Sequence, residues 1–199
     1  MELLKGYDLD RYIKTDSVLP VVDVLRLVSG CAVALGYAHG EKVVHRDIKP
    51  SNIMCDPYKV IAKITDFGIA RITDSSKTRT GTVLGTPNYM SSEQFVGKKV
   101  DGRADLFSLG VVLYQLVCNE LPFKGDSMAT LMYSIVNDPA IDIKKVKPGI
   151  SLTLRKFINN SMGKRSEKRY QSGEKLAAQL KVCIERMGGE SSENNTGND

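Results

Sequence analysis

The residue types that could do chemistry are concentrated in residues 45–52, HRDIKPSN, and in a DFG sequence that begins at Asp66. A carboxylate (Asp47), an ammonium (Lys49) and an amide (Asn52) share the first segment. If a hairpin brings Asn52 and Asp66 side by side, an amide oxygen and a carboxylate converge into an oxygen-rich site that suits Mg²⁺. Asp47 then remains able to orient a hydroxyl group and accept its proton. Lys49 can neutralise charge on a transferring phosphoryl group.

Three short β-rich pieces surround these segments, at 42–44, 53–55 and 62–65. Asp56-Pro57 supplies a turn between the second and third pieces, which predicts the hairpin that this chemistry requires. Strands this short make an incomplete sheet by themselves, so we expect another element to cover them.

The rest of the chain is mostly helical by pattern. Apolar residues at helical spacing and the residues that flank them predict helices at 7–14, 20–39, 103–118, 127–137, 152–162 and 172–187. Gly40 should end the second helix, Ser172 should cap the last, and Gly188-Gly189 should stop it. Residues 72–92 are polar and too long for an ordinary connection, so they should be either functional or mobile. The expected fold class is mainly α with small β-hairpins.

The composition excludes several classes of protein. A chain of 199 residues with 42% hydrophobic residues fits one domain with a real core. The net charge of +5 is spread along the chain, which favours a solvated surface over a nucleic-acid interface. Four separated cysteines without a C-x-x-C pair favour buried free thiols over disulfides or zinc. Two histidines exclude a His-rich metal site.

Membrane and export signals are also missing from the sequence pattern. No run of 18 apolar residues occurs, and the first five residues lack the apolar core of a signal peptide. We therefore expect no membrane segment within this chain and a cytoplasmic location, while a tether outside these residues remains open.

HRDIKPSN followed by DFG resembles the catalytic loop and magnesium-binding motif of eukaryotic-like protein kinases. Either motif alone is weak, but the two in this order and flanked by strands are specific. Two surface turns with capping aspartates would not explain the joint pattern. The resemblance covers residues 1–187, from the hinge through the C-terminal lobe, and leaves 188–199 as a disordered tail. It implies ATP with Mg²⁺ or Mn²⁺ as cofactors.

The resemblance also implies where the nucleotide would lie. The backbone of Glu2 and Leu4 would hydrogen-bond adenine, Asp8 would reach the ribose, and Lys49 and Asp66 would face the phosphates. Met54 would form the apolar floor beneath the adenine ring, although simple core packing also explains an apolar residue at this position.

Residues 85–94, GTPNYMSSEQ, resemble the sequence that closes the activation segment of bacterial Ser/Thr kinases. By this resemblance Thr86 would bridge Asp47 and Lys49, which implies Ser or Thr rather than Tyr in the protein substrate. By the same resemblance Asp105 would brace the catalytic loop, and Glu93 would form an ion pair with Arg169. The residues with structural roles would be His45, Phe67, Glu93, Asp105 and Arg169.

Arg46 precedes the catalytic aspartate, where the family places an arginine that receives an activation-loop phosphate. A guanidinium suits a phosphate through paired hydrogen bonds. Thr78 and Thr80 match the positions most often phosphorylated in bacterial relatives. The alternative is a polar loop that is only flexible.

The chain departs from the family pattern in three ways. It has no G-x-G-x-x-G loop, strand lysine or partner glutamate before the hinge, so the N-terminal lobe is missing. We expect negligible activity from residues 1–199 alone and exposed apolar surface at the lobe junction. The chain would then be either a fragment of a kinase or a short non-catalytic scaffold. Ser92 replaces a proline, and Arg165-Ser166 replaces Asp-Pro; both changes put stability rather than mechanism in doubt.

Overall fold

The computed structural model describes residues 6–14, 19–56, 58–67 and 87–193. Its strands and helices are, in chain order, β1 (Tyr7–Asp8), α1 (Arg11–Lys14), α2 (Val21–Gly40), β2 (Ile53–Asp56), β3 (Ile61–Ile64), α3 (Ser92–Phe95), α4 (Gly102–Cys118), α5 (Met128–Asn137), α6 (Ile143–Val146), α7 (Leu152–Ser161) and α8 (Gly173–Glu193). Single 3₁₀ turns lie at Pro50–Asn52, Pro87–Tyr89 and Ser166–Lys168. The predicted mainly α fold with a small hairpin is confirmed.

The three strands form one antiparallel sheet in the order β1-β2-β3. Its register places Met54 opposite both Asp8 and Lys63. Because directly paired residues share a face of the sheet, these three side chains form one row across the outward face. Ile53 and Cys55 point to the other face and are buried. The hairpin predicted around Asp56-Pro57 therefore exists, with one face in the core and one face turned away from it.

The core is organised around α4. Every residue from Ala104 to Tyr114 is buried, as expected of a helix surrounded by other elements. The Asp101 side chain caps the start of α4 by accepting from the Arg103 backbone N–H at 3.0 Å. Asn119, in the left-handed conformation, ends it. This rigid central helix is the base on which the loops of the chain are positioned.

Helix α2 packs beside α4 and α8. By length and composition alone α2 is apolar enough to cross a membrane. Half of its most apolar window is buried within the structure, and its Val24, Leu25, Val28 and Leu35 side chains belong to the core. A core helix of this kind passes the same test of length and composition, so α2 is accounted for by its packing.

Two predicted elements near the start of the chain are wrong. Residues 7–8 pair with β2 instead of beginning a helix, because the exposed strand edge offers backbone partners there. Residues 42–44 form no strand; the Val43 N–H instead bonds Ala38 O at 2.9 Å and closes the end of α2. The end of α2 at Gly40 agrees with the prediction, and Lys42 takes the left-handed φ of 62°.

The predicted stop of α8 is also wrong. The helix begins after Ser172, whose hydroxyl accepts from the Lys175 N–H at 3.3 Å as predicted. It then continues through Gly188 and Gly189 to Glu193, so the predicted tail boundary at 188 falls inside α8. Extending an existing helix adds one hydrogen bond per residue, and a glycine weakens it by only about 1 kcal/mol.

The junction of α2 and α8 yields a stability prediction. A Cβ built on Gly173 would overlap the carbonyl oxygen of Ala32 and the backbone nitrogen of Gly36, whereas a Cβ on Gly30 meets no atom within 4 Å. Gly173→Ala should lower the free energy of unfolding by about 1–3 kcal/mol. Gly30→Ala, the matched control in α2, should raise it by roughly 0.5–1 kcal/mol. Urea denaturation measures both, and equal effects would contradict this account of the junction.

Candidate active site

The loop at 45–52 brings three of the predicted catalytic side chains together. The Lys49 ammonium donates to Asp47 Oδ2 at 2.8 Å. The Asn52 amide donates to the same oxygen at 3.1 Å and to the Asp47 carbonyl oxygen at 2.8 Å. Among the described residues, both bonds to the Asp47 carboxylate therefore go to Oδ2, which leaves Oδ1 to face a hydroxyl group.

The backbone of this loop is held by a buried carboxylate from α4. Asp105 is 1% exposed. Its Oδ1 accepts from the Arg46 N–H at 2.7 Å, and its Oδ2 accepts from the His45 N–H at 2.9 Å. His39 at the end of α2 adds a third contact, from Nε2 to Oδ2 at 2.8 Å. A carboxylate buried in this way needs such partners, so the loop and α4 fix each other.

The His45 side chain joins the loop to the segment after β3. Its Nε2 lies 2.8 Å from Thr65 O, and its ring meets the Phe67 ring edge-on with centroids 4.8 Å apart. The Thr65 N–H and hydroxyl both donate to Asn52 O, at 2.9 and 3.2 Å. Thr65, which immediately precedes Asp66, is therefore hydrogen-bonded to Asn52. Asn52 and Asp66 are the two residues predicted to bind the metal. Asp66 itself takes a left-handed φ of 59°.

The donor set fits Mg²⁺ bound together with a nucleotide. Both hydrogens of Asn52 Nδ2 are used by Asp47, so the amide oxygen is the group that remains for a metal. Asp66 supplies an exposed carboxylate. The described residues contain no group of three His, Cys, Asp or Glu side chains that could hold a metal ion. Mg²⁺ commonly takes one or two protein oxygens and completes its shell with waters and phosphates, so an amide and a carboxylate suffice.

The structure describes only some of the residues predicted to bind the nucleotide. Asp8 and Met54 are paired neighbours on the outward face of the sheet, and Met54 is half-buried on the side opposite the core residues Ile53 and Cys55. Ile61 is 49% exposed and Phe67 is 41% exposed, and they lie in β3 and just after it. Glu2 and Leu4 lie outside the described residues.

The regulatory and activation-segment predictions fall mostly outside the described residues, as do Thr78, Thr80 and Thr86 themselves. Arg46 is described, with a left-handed φ of 68°. Its carbonyl oxygen accepts from the Gln94 amide at 2.9 Å. Gln94 thus ties the end of the activation segment to the catalytic loop.

The predicted pair of Glu93 and Arg169 is present and bidentate. Nη1 donates to Oε1 at 2.7 Å and Nη2 to Oε2 at 2.8 Å. The Arg169 side chain is fully buried and also bonds the carbonyl oxygens of Gly163 and Lys164. Burial raises the pKa of the Glu93 carboxyl, but the bonds and charge of Arg169 outweigh it and hold this pKa below its ordinary value of 4.5.

Sequence reasoning missed two of these contacts. The roles of His39 and Gln94 depend on partners 66 and 48 positions away in the chain, which no local pattern reveals. One local signal was available for Gln94, because Ser91 and Gln94 form the S-x-x-Q capping box that starts α3.

The two smaller departures from the family pattern are accommodated. The Ser92 hydroxyl donates to Lys164 O at 3.0 Å and joins the contacts of Arg169. Arg165 precedes the 3₁₀ turn at 166–168, which its carbonyl oxygen stabilises by accepting from the Lys168 N–H at 3.0 Å. Both departures therefore lie in ordered, hydrogen-bonded parts of the structure.

Comparison with known proteins agrees with this geometry. The model of the protein kinase domain matches residues 1–180. The chain is 38% identical to the serine/threonine-protein kinase PknB of Mycobacterium leprae over 182 residues, which cover 90% of this chain and 29% of that protein. It is also 38% identical to the serine/threonine-protein kinase pkn3 of Myxococcus xanthus over 192 residues, which cover 92% of this chain and 35% of that one. The chain thus spans about a third of the length of these relatives.

Solved structures show the same fold. Rad53 in complex with AMP-PNP superposes with a TM-score of 0.75 at 24% identity, over 90% of this chain and 45% of that one. The PknI kinase domain of Mycobacterium tuberculosis gives a TM-score of 0.69 at 24% identity, over 92% of this chain and 63% of that one. The predicted fold, the C-terminal lobe of a kinase, is confirmed.

The ion pair yields a second stability prediction. Arg169→Met should lower the free energy of unfolding by roughly 3–5 kcal/mol, because it leaves the Glu93 carboxylate without its partner. Lys124→Met, which breaks the exposed pair with Glu120, is the control and should change it by less than about 1 kcal/mol. Urea denaturation compares the two variants.

The same variants give a pH test. Because the pKa of Glu93 lies below 4.5 in the folded state, the stability that the pair contributes is present above that pH and lost as the pH falls through the folded-state pKa. The difference between wild type and Arg169→Met should therefore shrink in acid. A difference independent of pH down to acid unfolding would contradict this assignment.

Proposed function

Because the chain belongs to the protein kinase family, we propose that residues 45–67 form the phosphoryl-transfer site of a Ser/Thr protein kinase. In the complete protein the γ-phosphoryl group of ATP would pass to Ser or Thr hydroxyls of protein substrates. The observation that carries this proposal is the shared use of Asp47 Oδ2 by Lys49 and Asn52. That arrangement fixes a carboxylate beside a cation and an amide, as phosphoryl transfer requires.

The geometry suggests how these residues act. Lys49 and Asn52 hold Asp47 in one orientation, so Oδ1 can accept a hydrogen bond from the substrate hydroxyl and take its proton as the oxygen attacks. Lys49, whose side chain is 23% exposed, can turn its positive charge toward the transferring group. Positioning and electrostatics supply most of the catalysis in such reactions.

Asn52 and Asp66 would hold Mg²⁺, which would supply positive charge to offset that of the nucleotide phosphates. Asp8 and Met54 would contact the nucleotide from the outward face of the sheet. The position of Met54 opposite the buried face supports this role over core packing. Glu2 and Leu4 complete the nucleotide site in the proposal.

Selectivity and regulation belong to the same proposal. Lys49 together with Thr86 supports Ser or Thr substrates. Arg46, adjacent to Asp47, would receive a phosphate on Thr78 or Thr80 and so couple the activation segment to the loop that Asp105 holds.

Residues 1–199 contain no glycine loop and no strand lysine, and both help to grip a triphosphate. We therefore propose that this stretch alone is inactive or nearly so, and that activity requires the family's other lobe. A cytoplasmic location is part of this proposal. The alternative, a non-catalytic scaffold, has no need for the arrangement of Asp47, Lys49 and Asn52.

The first test is Asp47→Asn in the full-length protein. Phosphorylation of a Ser/Thr substrate should fall by at least 100-fold, because the proton acceptor is lost, while the unfolding midpoint stays near wild type. Asp126→Asn, the same change at an exposed position, should keep full activity. Undiminished turnover in Asp47→Asn would refute the role of Asp47, and a wild type without activity would favour the scaffold.

The second test concerns the metal. Asp66→Asn should weaken binding of Mn²⁺ in the presence of ATP by 10-fold or more, because a neutral amide is a poorer ligand than a carboxylate. Electron paramagnetic resonance of Mn²⁺ measures this directly, with Asp126→Asn again as control. Unchanged Mn²⁺ affinity in Asp66→Asn would remove Asp66 from the metal site.

A further inference from the structure

The two smaller departures from the family pattern, at Ser92 and at Arg165-Ser166, line one cavity. Ser92 stands where the family has proline, and Arg165-Ser166 stands where it has Asp-Pro. Both border a cavity of about 420 Å³ that also touches Val136 at the end of α5. The cavity therefore brings together residues that are far apart in the chain.

The cavity is rich in positive charge. Lys98, Lys164 and Arg165 all line it. Lys98 and Arg165 are exposed, and neither has an ion-pair partner among the described residues. Their charges are therefore available to a ligand.

Lys164 is a third cation of the lining and is less exposed than the other two. Its ammonium donates to the carbonyl oxygens of Ser134 and Ile135 in α5 and lies 3.9 Å from the centre of the Phe123 ring. Burial lowers the pKa of Lys164 to about 8. An anion nearby would favour its charged form.

Two carboxylates, Glu93 and Glu167, also line the cavity. Only Glu167 has no ion-pair partner among the described residues. Glu93 is neutralised by Arg169 through two hydrogen bonds. Glu167 is exposed at the rim. With three cations and two carboxylates the lining has a net charge of +1. Because Glu93 is paired with Arg169, the cations of the lining face only Glu167 as an unpaired carboxylate.

We propose that this cavity binds the phosphate group of a phosphorylated Ser or Thr side chain in a protein segment. Such a group carries about −1.5 to −2 charges at neutral pH, which is opposite in sign to the charge of the lining. Arg165 can bind two phosphate oxygens with its planar guanidinium, and Lys98 can act as a point charge. The Ser166 hydroxyl, at the start of the 3₁₀ turn, supplies a further donor.

The choice of a phosphorylated side chain rests on the proposed function, because such side chains are the products of that reaction. The cavity adjoins α3, which closes the activation segment, and Lys164 links it to α5. A substrate already phosphorylated once would thus be held beside the surface where the family places its peptide, which favours a second phosphorylation.

A variant that restores the family residues gives a sharp test that keeps the fold. Arg165 has φ −86° and ψ 126°, the extended conformation that a residue before proline adopts. Proline at 166 would occupy the first position of a helical turn, where it is tolerated. Arg165→Asp with Ser166→Pro should therefore fold normally while removing a cation and a hydroxyl donor and adding an anion.

The experiment compares a phosphothreonine peptide with the same peptide unphosphorylated, by isothermal titration calorimetry on the full-length protein. The phosphorylated peptide should bind at least 10-fold more tightly. The restoring double variant and Lys98→Gln should each lose most of that difference. Lys144→Gln with Lys156→Gln, two exposed lysines outside the cavity lining, should keep it and so exclude a general effect of charge.

Two further measurements distinguish binding in the cavity from binding in the active site and from binding of phosphate alone. Lys49→Met removes a cation of the active site, and selectivity for the phosphopeptide should survive it, whatever the outcome of the catalytic tests. Loss of selectivity in Lys49→Met would place the peptide in the active site and overturn the proposal. Inorganic phosphate should compete only at far higher concentration than the peptide. Equal affinity for inorganic phosphate, or equal binding of both peptides, would also overturn it.

Discussion

The structure depends on one buried carboxylate. Asp105 lies in the middle of the core, on the most deeply buried helix, and accepts hydrogen bonds from the backbone of His45 and Arg46 and from the His39 ring. A charge in this position is unfavourable without partners, so these bonds stabilise α4 and the catalytic loop against each other. Through these bonds the core, and not the surface loop alone, fixes the position of Asp47.

A second set of polar contacts ties α3 to the same core. Arg169 bonds Glu93, the carbonyl oxygen of Arg103 at the start of α4, and the loop at 163–164. Gln94 reaches from α3 to the Arg46 carbonyl oxygen. The end of the activation segment and the catalytic loop are thus coupled through bonds of fixed direction, which set geometry more than they set overall stability.

Two of the five described non-glycine residues with a positive φ lie in the candidate site. Arg46 and Asp66 have φ near 60°, a conformation that side chains with a Cβ adopt at a cost. Each is held by its neighbours, Arg46 by Asp105 and Gln94, and Asp66 by the bonds of Thr65 to Asn52 and His45. Strain that the surroundings maintain is typical of functional positions. Here it turns Asp66 out of the strand direction of β3.

The sequence by itself determined the long helices, the β2–β3 hairpin and the chemistry of the Asp47, Lys49, Asn52 and Asp66 segment, because periodicity, turn residues and motif spacing are local. It misplaced the strand at 42–44 and the end of α8, where local preference was overridden by helix closure and helix propagation. Only the tertiary structure decided that His39 and Gln94 serve the catalytic loop, and that Ser92 and Arg165 meet at one cavity. The reason is physical: a single polar contact between residues far apart in the chain depends on how the elements pack, and it leaves no periodic pattern in the sequence around either partner.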